Sequence, residues 1–229
     1  MEFFDSLIKK ALEFTQGLSE INYDYEPDNA WSDVGVNQVI LQKHSAAELK
    51  GTGFNLVTAS PVKDSINVIG DELGNIKNDR VFTRITLVQI REQESEQKTY
   101  DLIRKVEYVK YHYFPDGYMI RTSSRSHQEA VRVSKDAVKK GISFQKVGNL
   151  LINKYKENPA VIGVRVIFIT SPDADHKAFE EMAQKNNAIT ETLNHVMNSV
   201  NFDCSTCNLK PVCDEVEGMR ELHFRNKGM

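Results

Sequence analysis

The sequence predicts an α+β fold: a mixed or antiparallel sheet with flanking helices, plus a small second α/β layer leading to a C-terminal metal-binding loop. Three observations carry this. Strand-like runs rich in Val, Ile, Thr and Phe crowd into residues 36–92, punctuated by Gly, Asn, Asp and Pro. Helical periodicity dominates residues 94–113 and most of the chain after 134. Strands and helices do not alternate regularly, which separates the chain from a doubly wound parallel sheet. The organisation that follows is an N-terminal helix and linker over 1–34, an α+β region over 35–133, and a region over 134–229 that ends in a cysteine cluster.

Residues 2–18 place Phe3, Phe4, Leu7, Ile8, Ala11, Leu12, Phe14 and Leu18 at spacings of three and four. That is an amphipathic helix, expected to dock on the core. Residues 19–35 are polar, hold Pro27 and the only tryptophan, Trp31, and read as a linker or wrapping loop. Strands are expected over 36–42, 53–59, 66–69 and 81–90. In the last of these Phe82, Ile85 and Val88 depart from strict alternation, so it is expected to be buried on both faces.

Residues 94–113 form a helix with Tyr100, Ile103, Val106, Val109 and Tyr113 on one side, ended by Pro115-Asp116-Gly117. A strand over 118–122 follows, then a Ser-rich basic segment that extends the sheet to about 133. Short helices over 134–140 and 145–156 come next. Residues 161–170, VIGVRVIFIT, are the strongest strand in the chain and the expected seed of the second layer. Ser171-Pro172 then predicts a helix start, with Ser as N-cap and Pro at the first helical position. This helix runs to about Val200 and buries Phe179, Met182, Ile189, Leu193 and Val196.

Of the 229 residues 40% are hydrophobic, enough for a packed core, so global disorder is excluded. Lys plus Arg is 29 against 32 Asp plus Glu, a net charge of −3, and no nucleic-acid partner is expected without a basic surplus. No apolar run approaches the roughly 18 residues of a spanning helix, so no membrane partner is expected. The first residues lack a charged leader followed by an apolar core, and a cytoplasmic protein is the expectation. Without a Gly-rich phosphate loop, G-x-S-x-G or HExxH, nothing points to nucleotide hydrolysis, serine hydrolysis or zincin chemistry. His44, His112, His127, His176 and His195 are scattered and receive no role.

All three cysteines fall within ten residues, Cys204, Cys207 and Cys213, and His223 follows, giving C-x2-C-x5-C-x9-H. Thiolates at i and i+3 across a tight turn grip one metal centre, and a third thiolate with a returning imidazole completes a tetrahedron. A structural Cys3His zinc site and a [4Fe–4S] cluster both satisfy that donor set. A dithiol redox pair at Cys204 and Cys207 is a further option, although the strand–CxxC–helix setting of such pairs is missing. Three free thiols in a tail are the bland alternative.

The stretch over 132–170, RVSKDAVKKGISFQKVGNLLINKYKENPAVIGVRVIFIT, resembles the acetyl-CoA synthase (beta) subunit of the CO dehydrogenase/acetyl-CoA synthase complex. There a similar RVSKDAV helix, a Gly-containing helix, a PA turn and an apolar strand precede a long charged helix that leads into the cysteines of the nickel–iron–sulfur A-cluster. GFNLVTASPVKDSINVIG and ITLVQIREQESEQKTYDLIRKVEYV resemble the same subunit's middle domain more weakly, so the likeness spans roughly 35–215.

The resemblance implies a [4Fe–4S] cluster on Cys204, Cys207 and Cys213, with Cys207 as the counterpart of the cysteine that bridges to nickel. It also implies coenzyme A as ligand, and CO dehydrogenase/acetyl-CoA synthase or corrinoid protein components as partners. Three departures qualify what it implies. His223 stands where the family has a fourth cysteine, the Cys-Gly-Cys pair of the distal nickel is missing, and Ala130 replaces a tryptophan of the coenzyme A site. The expectation is therefore a short relative that is not a complete synthase by itself. Arg121, Arg125 and Arg132 are the candidate phosphate contacts, because Arg forks match phosphate oxygens. They are equally compatible with a solvated basic rim.

Overall fold

A computed structural model describes residues 3–32, 40–113, 115–123, 127–197, 207–216 and 219, with the side chain of Cys213 excluded. Among these residues seven strands form one mixed sheet. They are β1 (Glu20–Asp24), β2 (Ser45–Thr58), β3 (Ser65–Ile69), β4 (Arg80–Ile90), β5 (Tyr118–Thr122), β6 (Gln128–Ser134) and β7 (Val161–Ile169), in the order β1-β3-β7-β4-β2-β6-β5. The pairs β3–β7 and β2–β4 are parallel and the other four are antiparallel. The helices are α1 (Asp5–Thr15), α2 (Glu96–His112), α3 (Lys135–Lys139), α4 (Phe144–Lys156), α5 (His176–Met197) and α6 (Lys210–Glu215).

The expected α+β class holds, with one correction. Residues 161–169 do not seed a second layer; β7 lies inside the main sheet, hydrogen-bonded to β3 and β4 at once. Val164, Val166, Ile167, Phe168 and Ile169 are all buried, and a strand apolar on both sides reaches that state only between two neighbours under helices on both faces. The sheet thus draws strands from both 35–133 and 134–229. β4 is buried continuously from Phe82 to Val88, as its broken alternation predicts.

One face carries α2 and α4. Phe144 of α4 stacks on Phe168 at 4.5 Å between centroids and on Phe82 at 6.1 Å. Ser143 caps α4 by accepting from the Lys146 amide at 3.1 Å. A Cβ at Gly148 would lie 2.4 Å from Ile66 Cγ1, so only glycine lets α4 settle this close to β3. The other face carries α1 and α5, which cover its centre. α1 docks on the core through Phe4, Leu7 and Ala11, as expected.

Local chemistry explains three further differences. The segment read as a linker contains β1, a five-residue edge strand whose residues are mostly exposed, so it carries almost no apolar signal. Its continuation wraps over α4: Trp31 is buried, its amide donates to Lys146 O and its Nε1 to Asp116 O at 2.7 Å. The helix predicted from Pro172 starts instead at His176. Ser171 Oγ is taken by the Asp173 amide, and Asp175 Oδ1 accepts from the Ala178 amide at 2.9 Å, so Asp175 is the working cap. Residues 36–39 of the first expected strand lie outside the described residues, and Gln42–His44 is a 3₁₀ turn.

Candidate functional site

The cysteine segment is reached from α5. The chain returns at Cys207, where the Lys210 amide donates to Cys207 O at 3.2 Å, and Pro211 occupies the first turn of α6, the position where its missing N–H costs nothing. α6 lies against α5. Leu209, Val216 and Met219 are buried, and Lys185 Nζ meets Glu215 Oε2 at 2.9 Å, which holds the Glu215 carboxyl below its usual range. Cys207 is therefore half-buried on a segment pinned to the body rather than in a solvated tail. Cys204, the Cys213 side chain and His223 lie outside the described residues. Among the described residues no three potential metal ligands converge.

Strand register brings two of the three arginines together. Arg121 pairs with Ala130 and Arg132 with Met119, so Arg121 and Arg132 are diagonal neighbours on one face of the β5–β6 ladder. That face is the one bearing α1 and α5. α2 lies on the opposite face, where Asn55 of β2 donates to Val106 O. Arg132 Nε stands 3.5 Å from Glu48 Oε1 and is partly neutralised. Arg121 lines an open cleft of about 720 Å³ together with Lys50, Thr52, Ala130, His176 and Lys177. Arg125 lies outside the described residues.

His176, given no role from sequence, fixes one wall of this cleft. Its Nε2 donates to Ser171 O and its Nδ1 hydrogen-bonds with Thr83 Oγ1, both at 2.9 Å.

Two buried charged clusters also escape sequence reading. Arg84 of β4 and Glu129 of β6 are fully buried and joined by a fork: Nε to Oε1 at 2.9 Å and Nη2 to Oε2 at 2.7 Å. Gly53 of β2, the strand between them, gives the carboxylate its room, since a Cβ there would sit 1.9 Å from Glu129 Oε2. Beyond the reach of β6 along β2, Lys110 of α2 is buried with Nζ against His127 Nδ1 and 3.3 Å from Glu107 Oε2. His127 adopts φ +51, and its carbonyl accepts from the Gly53 amide. Burial first, then the Lys110 charge, push its imidazole down to about 4. Burial likewise lowers Lys110.

Comparison with known proteins adds one finding. The family model described as CO dehydrogenase/acetyl-CoA synthase complex beta subunit matches residues 37–174. That is more than half of the chain and takes in β2 to β7 with α2, α3 and α4; the match stops short of α5 and of every cysteine. No curated protein matches the chain. No helix among the described residues is long and apolar enough to cross a membrane.

Proposed function

Because the chain belongs to the CO dehydrogenase/acetyl-CoA synthase complex beta-subunit family, we propose that it is a short beta-subunit-like protein holding a [4Fe–4S] cluster through Cys204, Cys207 and Cys213, with His223 as fourth ligand. Its proposed partners are other components of that complex, CO dehydrogenase or a corrinoid protein. The observation that carries this reading is the docking of the Cys207-bearing segment on α5, the helix that follows the family-matched body. Thiolates are the ligands iron–sulfur clusters take, and imidazole serves at one iron in some of them. A half-buried thiol beside buried Leu209 gives the partial exclusion of water that sets a cluster's potential. When bound, such a cluster supplies one-electron transfer.

Anaerobically purified Cys207→Ser protein is expected to lose most of its bound iron, since each thiolate contributes a large share of a site's affinity. His223→Ala is expected to lose less, because water or Asp214 can replace an imidazole. Iron content unchanged in Cys207→Ser would overturn the ligand set.

The coenzyme A expectation follows Arg121 into the open cleft, where Lys50 and Lys177 add positive charge. Arg121→Ala is expected to weaken coenzyme A binding about tenfold by calorimetry, the loss of one charge-assisted contact. Equal affinity in the variant would return Arg121 to a solvated rim.

A further inference from the structure

His127 sits where the β5–β6 ladder ends, and three backbone hydrogen bonds meet there. The Ser123 amide donates to Gln128 O at 2.9 Å, the His127 amide to Ser123 O at 3.0 Å, and the Gly53 amide of β2 to His127 O at 2.9 Å. The same stretch of ladder forms a wall of the cleft described above: Arg121, Thr122, Ser123 and Gln128 all line it, together with His176 and Lys177 of α5. The position of that wall therefore depends on what holds His127. A φ of +51 is an uncommon conformation for a residue with a Cβ, so it persists only where the surrounding contacts fix it.

The buried His127 ring is approached from several elements. α2 contributes Lys110, whose Nζ lies against Nδ1, Tyr111, whose hydroxyl is 3.5 Å from Nδ1, and Glu107, 3.3 Å from Lys110 Nζ. α5 contributes Asn187, which is uncharged and itself donates to Glu191 Oε1 at 3.3 Å. β2 contributes the Gly53 backbone, and on β6 the Glu129 carboxylate is engaged by the Arg84 fork. An ammonium has no acceptor, so Nδ1 accepts from Lys110 and the clamped ring is neutral. A proton on Nδ1 removes that acceptor and sets two cations in contact out of water. Lys110 is tied to Glu107 on a 17-residue helix, whereas His127 hangs on the amide bonds of a ladder end, which is the side that gives way. We propose that His127 is a pH-sensitive clamp: neutral, it holds the end of the β5–β6 ladder to α2 and β2, and protonated, it releases that end and with it the Arg121 wall of the cleft. The clamp stands on its own contacts; only its consequence for a ligand rests on the coenzyme A reading.

The sign follows from linkage. The released ring takes a proton near its ordinary 6.5 and the clamped ring only near 4, so the released fraction rises about tenfold per pH unit across that window. Native-state hydrogen exchange on the full chain, read by NMR as protection factors, tests this at the Gly53 and Ser123 amides. Both are expected to be less protected than the amides of β7 at every pH, because the ladder end opens without the rest of the sheet. Between about pH 6.5 and 4.5 their protection should fall about 100-fold. In His127→Asn, which tolerates the same φ, the fall should shrink to less than about threefold. Lys110→Met removes the opposing charge and is the second variant, in which the fall should be less than about tenfold. Gly53 and Ser123 amides as protected as β7 throughout, so that they open only on global unfolding, would overturn the clamp. So would a pH dependence unchanged in both variants. No coenzyme A and no iron enters the measurement, so the cleft's ligand and the cluster assignment stand or fall separately.

Discussion

Replacing Arg84 with Met is expected to cost about 3–5 kcal/mol, seen as a lower urea midpoint at unchanged slope. The substitution leaves the Glu129 carboxylate fully buried with neither its fork nor water, and Gly53 lets the strand press directly on it. A loss of that size is a large part of the roughly 5–15 kcal/mol that holds a domain together. The same reasoning fixes the sign of the double variant. Arg84→Met with Glu129→Leu removes both charges and fills the space with apolar atoms, and replacing a buried pair in this way is often neutral or stabilising. The double variant should therefore recover most of the loss. A double variant no more stable than Arg84→Met would show that packing, not the stranded carboxylate, is what the single change damages.

Acid is expected to weaken the fold through His127. Its ordinary pKa is 6.5 and burial beside Lys110 brings it to about 4 in the folded chain. The unfolded chain gains a proton below about pH 6.5 that the folded chain refuses until about pH 4. The contribution of the neutral ring is thus complete above 6.5 and is lost progressively as pH falls to 4. The span corresponds to about 3 kcal/mol. Lys110, Glu107 and Tyr111 all lie close to this ring. Lys110 acts in the same direction at alkaline pH, since its lowered pKa makes stability rise as the ammonium loses its proton. His127→Asn tolerates φ +51 and does not titrate, so its urea midpoint should fall less steeply between pH 6.5 and 4. Parallel pH profiles for the two proteins would remove His127 as the source of acid sensitivity.

Elements with a strong apolar signature were legible from sequence. VIGVRVIFIT announces a buried strand, and the broken alternation of β4 announces burial on both faces. The partners of those strands were not legible, because pairing is a long-range property: β7 joins β3 and β4, roughly 70–100 residues upstream in its register. β1 was missed since an exposed edge strand shows little apolar periodicity. Arg84 and Glu129 lie 45 residues apart, and nothing local marks them as a pair. A charged residue in the middle of RVFTRITLVQI was the one available hint. The cysteine spacing was visible at once, whereas the docking of Cys207 beside α5 depends on Leu209, Val216 and Met219, whose burial only the folded chain decides. The common face of Arg121 and Arg132 likewise follows from the β5–β6 register.

Iron, zinc and acid-labile sulfide in the anaerobically purified full chain, measured together with its visible absorption, test the cluster assignment most directly. The expected protein is brown, with iron and sulfide in comparable amounts and a broad thiolate-to-iron absorption that bleaches on reduction. A colourless protein carrying zinc without sulfide would contradict the assignment and leave a structural Cys3His site in its place.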